Sequence, residues 1–310
     1  MKTVLEKIEI IIKKNAVYEI FNNDEVCKIF DNHTIIGTPW QGKSSQRSLS
    51  IECADTKDPK DLIEIFAVDK TSFSTKFKQA IDGDGQEDKR IRTLHSSALL
   101  CLLCFYGISE EKPLELELDN RKVTFSNSEF EVKNGVWKGH YSNIDVVLCG
   151  EDENGKKVKL FLESKFLEYL NWGKYTGISE EVYGTTYKQL ESSFADMGLA
   201  YNDGTLCSAK GDTQHYAGGI KQMISHFIGL QNEIKNGKYS DADIYLGTIL
   251  YKFDKEEEMF NDYTTIYSRL AEGLNVLTES KFKVIENCFT YQDLFRDYNL
   301  DKNVKTFYSL

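Results

Sequence analysis

Apolar positions recur at helical spacing near the start of the chain, at Val4, Ile8, Ile11, Ile12, Val17, Ile20 and Phe21, and predict a helix within residues 1–30. A turn-rich stretch with Pro39 and Pro59 follows, with a short strand expected around Ser48–Cys53. Leu62–Val68 is another apolar element, and Leu94 to Tyr106 has the pattern of a buried helix. The period then changes to two. Leu114–Leu118, Val123–Phe125, Glu129–Lys133, Ile144–Cys149 and Val158–Phe166 read as strands, with Asn154-Gly155 as a hairpin signal between the last two. Asn171–Tyr187 is a connection rich in Gly, Tyr and Trp. Helical spacing returns at Thr186–Phe194 and Tyr216–Ile234. Ile244–Phe253 reads as a strand, Glu256–Leu270 as a helix, Lys283–Thr290 as a strand and Tyr291–Tyr298 as a last short helix. The expected plan is α/β: a mixed central β-sheet flanked by helices over residues 70–310, with residues 1–69 as an N-terminal extension packed on it.

Charge narrows the function. The chain has 310 residues and a net charge of −11, which argues against coating nucleic acid by bulk attraction. The acid is uneven: residues 70–240 sum to −3 over more than half the chain, while residues 241–310 alone sum to −5. Two basic groups could meet phosphates, Lys76, Lys78, Lys89, Arg90 and Arg92 in one and Lys156, Lys157 and Lys159 in the other. Trp172, Tyr175, Tyr183 and Tyr187 could stack on bases or pack within a flap.

Seven cysteines, an odd number widely spaced, suit reduced thiols and a cytoplasmic protein. Cys101 and Cys104 fall on the apolar helix and are expected to pack there. The longest apolar run near the start, Ile10–Ile12, is too short for a signal peptide. The most apolar segment, Ala98–Tyr106, is half the length of a spanning helix, so no membrane association is expected. Asp82–Asp88 has the acidic spacing of a calcium loop but lacks Gly at the sixth place and Glu at the twelfth, so it reads as a solvated turn.

No phosphate-binding glycine loop, zinc-protease helix or serine-hydrolase elbow is present. The five histidines are scattered without ligand spacing and read as packed or surface residues. One constellation remains. Six Glu-x-Lys triplets occur, and only Glu163-Ser164-Lys165 ends an apolar strand preceded, across a hairpin, by an Asp on another apolar strand, Asp145. Two hairpin registers are open to the sequence. A two-residue Asn154-Gly155 turn sets Asp145 opposite Ser164 and turns Glu163 to the other face. A three-residue loop, Glu153-Asn154-Gly155, sets Asp145 opposite Glu163, with Lys165 on the same side and Gly155 in the left-handed position. Two close carboxylates attract a divalent cation, and a lysine beside them can stabilise charge on a phosphate. The alternative is a surface strand end with a weak Glu163–Lys165 ion pair.

In Asn143-Ile144-Asp145, the hairpin and Glu163-Ser164-Lys165, the sequence resembles the PD-(D/E)XK nuclease superfamily, the restriction-endonuclease-like fold. The resemblance covers about residues 94–253. It departs from the family pattern where Asn143-Ile144 replaces the name-giving Pro. It implies Asp145 and Glu163 as metal-binding acids and Lys165 as the catalytic lysine. More loosely, it implies Glu131 as a third metal-binding acid, with Glu129 as its rival, and Gln222 as a residue aimed at the site from the following helix. It also implies Mg2+ (or Mn2+) as cofactor, DNA as substrate and a homodimer that cuts two strands. The function so expected is a Mg2+-dependent endodeoxyribonuclease of restriction or defence type. A non-catalytic nucleic-acid-binding or assembly protein retaining the fold is the alternative.

Overall fold

The structure is a computed structural model. It describes residues 24–30, 32–40, 43–82, 90–170, 176–202, 204–208, 220–278 and 281–310. The helix expected before residue 24, most of the acidic turn after Asp82 and the start of the helix expected at Tyr216 lie outside those residues.

In chain order the main elements are α1 (Asp24–Ile29), β1 (Ile35–Trp40), β2 (Lys43–Ile51), α2 (Lys60–Phe66), α3 (Lys70–Ala80), α4 (Ser97–Phe105), β3 (Leu114–Leu118), β4 (Arg121–Trp137), β5 (His140–Asp152), β6 (Lys157–Lys165), β7 (Thr176–Gly177), β8 (Leu199–Asn202), β9 (Thr205–Ser208), α5 (Ile220–Lys235), β10 (Ala242–Leu250), α6 (Glu257–Asn275), β11 (Phe282–Val284), β12 (Phe289–Thr290) and α7 (Lys302–Tyr308).

Two compact units result, one of residues up to Gly107 together with Tyr291–Leu310, the other of Ile108–Thr290. The expected boundary after residue 69 falls inside the first unit. Aromatic packing accounts for this. Phe30, Phe66 and Phe307 form an edge-on trio with centroids 5.5–6.3 Å apart, and Phe105 meets Phe295 at 4.9 Å. These pairs tie the last residues of the chain to segments on both sides of position 69. Cys101 and Cys104 are buried free thiols on α4.

The second unit is built on a mixed seven-stranded sheet in the order β11-β10-β6-β5-β4-β3, with β12 also pairing β10. β3 to β6 form an antiparallel meander, and β10 lies parallel to β6. β10 is buried at every position, as a strand covered on both faces must be. α5 presses Ile220, Met223, Ile224, Phe227, Ile228 and Leu230 into the interior. Two expected strands, Val123–Phe125 and Glu129–Lys133, are one 17-residue strand, β4, because a bulge between Phe125 and Asn127 lets pairing continue. The expected strand Lys283–Thr290 is instead two short strands, β11 and β12, each parallel to β10. Among the described residues no helix is long and apolar enough to cross a membrane.

Candidate active site

The β5–β6 hairpin takes the three-residue loop. Val146 pairs with Leu162, Cys149 with Lys159 and Glu151 with Lys157. Gly155 adopts φ 75° and donates its N–H to Asp152 O at 2.9 Å. The ladder between β5 and β6 stops at Val146↔Leu162. Beyond it the Asp145 carboxylate takes over, Oδ2 accepting the Ser164 N–H at 2.6 Å. β6 continues alone against β10, with Thr248 beside Glu163 and Leu250 beside Lys165. A strand parting from its neighbour thus opens room for side chains between them.

Glu163 and Lys165 are 2% and 3% exposed, which rules out the surface ion pair. Lys165 Nζ donates to Glu163 Oε1 and, at 2.8 Å, to Gln222 Oε1. The second Glu163 oxygen accepts from His226 Nε2 at 2.7 Å. Gln222 and His226 stand one turn apart on α5 and so share a face. His226 Nδ1 is buried without a hydrogen-bond partner among the described residues.

The charges are lopsided. Burial raises the Asp145 carboxyl well above its ordinary range, the negative charges of Glu163 and Glu131 add to this, and Lys165 offsets only part. Glu163 goes the other way, to about 2: burial disfavours its charge, but Lys165 and His226 outweigh burial. Lys165 is raised, with burial again opposed by Glu163, Glu168 and Asp145, so it stays an ammonium ion at neutral pH.

Glu131 sits in β4 between Phe130, which pairs with Val146, and Val132, which pairs with Ile144, so it stands across from Asp145. Its φ is 51°, left-handed inside a strand, a strained conformation for a residue with a side chain. Glu129 lies elsewhere, at 3.5 Å from Cys149 Sγ and 3.8 Å from Lys159 Nζ. Asp145, Glu163, Lys165, Gln222 and Glu131 therefore converge, and Glu129 does not.

His226 is the residue that sequence reasoning missed. Its signal was the four-residue step from Gln222 along one helix face. The basic groups are also placed differently from expectation. Arg92 is buried and donates to the carbonyls of Asp55, Thr56 and Asp58. Lys156 and Lys157 pair with Asp243 and Asp241, each at 2.7 Å, and Lys159 donates to Cys149 Sγ at 3.1 Å. Tyr183 stacks on Tyr201 at 3.6 Å and Tyr187 is buried, so neither is open to a base. Trp172, Tyr175 and Lys89 lie outside the described residues. Among the described residues no group of three or more His, Cys, Asp and Glu side chains has metal-site spacing.

No protein-family model, curated protein or solved structure matches the chain.

Proposed function

We propose that this chain is a Mg2+- (or Mn2+-) dependent endodeoxyribonuclease with a PD-(D/E)XK-type core. The observation that carries the reading is the convergence of Asp145, Glu163 and Lys165 where β5 parts from β6, with Gln222 reaching Lys165 from α5. The donor chemistry, three carboxylates, suits a hard divalent cation, and the acids would draw together to hold one, since they do not stand at metal-site spacing without it. The Asp145 carboxyl is raised first by burial and then by the negative charges of Glu163 and Glu131, which a bound cation would offset. Asp145, Glu163 and Glu131 would hold the ion. When bound, it polarises a phosphoryl oxygen and supplies a nucleophilic water at neutral pH.

The protein groups do the rest. Lys165 remains charged, so its role is to stabilise negative charge building on the phosphate rather than to remove a proton. Gln222 and Glu163 fix the position of its ammonium group. His226 orients Glu163 from behind. The test is cleavage of supercoiled plasmid with and without Mg2+ by wild type, Lys165→Ala and Asp145→Ala. Nicking by wild type alone, and only with metal, is the expected outcome. Equal cleavage by all three proteins would sink the proposal.

A second reading is a nucleic-acid-binding protein that keeps this fold without cutting. Its support is that both oxygens of Glu163 are engaged by Lys165 and His226, which makes the acid an internal counter-ion. Tight DNA binding with no metal-dependent nicking would favour it.

A further inference from the structure

Beyond the candidate site, β4 and β5 run on as a two-stranded ribbon to the turn Trp137-Lys138-Gly139-His140, where Gly139 takes φ 79°. All residues from Trp137 to Tyr141 are exposed. Among the described residues four large apolar side chains are exposed, and two of them stand at this one tip: Trp137 at 43% and Tyr141 at 57%. Scattered single exposures are ordinary, but two aromatics on facing strands at one turn are a patch. The charge is local too. From Lys133 to Asn143 the chain holds Lys133, Lys138 and His140 and no acid, inside a protein of net charge −11. Lys138 Nζ lies 5.4 Å from the Trp137 ring centroid, so cation and π-face are presented together. Tyr141 precedes Asp145 by four residues on the same strand, about 13 Å at roughly 3.3 Å per residue, or about four stacked base steps of a duplex strand.

We infer that this hairpin tip is a DNA contact that stacks Trp137 and Tyr141 on unpaired bases a few nucleotides from the phosphate attacked at the candidate site, with Lys138 on the backbone. The inference rests on the nuclease reading for its substrate and names how that substrate is gripped. Aromatic rings stack on bases of any sequence, but in a closed duplex the base faces are covered. The tip therefore favours single-stranded or locally opened DNA over intact duplex.

The test is fluorescence anisotropy of the full chain with a fluorescein-labelled 30-nucleotide single strand and with its duplex, in EDTA so that no cleavage intervenes. The Trp137→Ala/Tyr141→Ala double variant should bind the single strand at least tenfold more weakly than wild type. The Trp137→Phe/Tyr141→Phe variant should stay within about threefold, with Tm unchanged in both because the side chains are exposed. Single-strand binding should also quench tryptophan fluorescence in wild type and less so in Trp137→Phe. Equal binding by wild type and the alanine variant overturns the inference, as does binding of duplex alone. Plasmid nicking measured in parallel separates the two readings. A wild type that cuts but ignores the alanine changes loses only the hairpin contact. One that never cuts but loses single-strand binding on the alanine changes loses only the nuclease.

Discussion

Strand β5 carries two aspartates, half-buried Asp145 and buried Asp152, and they live under opposite conditions. Asp152 accepts Arg121 Nη1 at 3.0 Å and the N–H groups of Asn154 and Lys156 at 2.9 and 3.0 Å. Its carboxyl is held below the ordinary range, by the Lys156 N–H first and Arg121 later. Around it, Asp119, Asp152 and Asp243 meet Arg121, Lys156 and Lys283, a balanced set at the sheet end near the hairpin loop. Asp145 accepts the Ser164 N–H and is pushed up, by burial first and by the charges of Glu163 and Glu131 after it. The same residue type on the same strand is thus neutralised at one end and left in excess at the other. Structural networks tend toward balance. A retained surplus of buried negative charge marks a place where stability has been given up, which is where function is sought.

The largest effect expected from this contrast is on catalysis. Lys165→Ala should lower Mg2+-dependent nicking by about 10²–10³, the loss seen when one charge-stabilising donor is removed, while Arg121→Ala should leave nicking unchanged. Next comes Glu163→Gln, which leaves the Lys165 ammonium buried with a weaker counter-ion. It should cost roughly 3 kcal/mol in urea unfolding. Arg121→Ala should cost only about 1 kcal/mol, and less in 1 M salt, because the guanidinium is 27% exposed and screened. Equal costs for the two would erase the distinction between the clusters. The smallest effect is a gain. Asp145→Asn removes the repelled charge and keeps an oxygen for the Ser164 N–H, so the metal-free protein should gain about 2–4 °C in Tm, the value of roughly 1 kcal/mol.

The pH dependence separates the carboxylates by sign. Glu163 falls from 4.5 to about 2, so its contribution is fully present above pH 4.5 and is lost as pH falls toward 2. Asp145 is raised above 3.8, so the native state binds more protons than the unfolded one in that window, and its penalty grows as pH rises. Glu163→Gln should flatten the acid limb of a stability–pH curve, and Asp145→Asn should remove the decline on the other side. Identical limbs in both variants would refute the assignment.

Much of the candidate site was legible because it is local. Asn154-Gly155 marks the hairpin and allows two registers, and the three-residue loop that forms places Asp145, Glu163 and Lys165 together. Gln222 came only from the family resemblance, and His226 was missed because a histidine count ignores which face each residue occupies. Choosing Glu131 over Glu129 required the left-handed turn of the chain at Glu131, which strand propensity does not encode. The division into two units was equally hidden. It depends on Phe307 and Phe295 finding partners more than 180 residues away, at Phe66 and Phe105.

The parallel pairing of β6 and β10 has a consequence for the order of folding. The acidic pair forms within a hairpin of about twenty residues, a contact that closes early and cheaply. Gln222 and His226 arrive on α5, and Thr248 on β10, only after the crossover of residues 166–241 has been laid across the sheet. Until that loop closes, the Lys165 ammonium has Glu163 but neither Gln222 nor the shelter of β10. The site is therefore assembled in two stages: a local one that brings the opposite charges together, and a slow, long-range one that removes them from water and fixes their geometry.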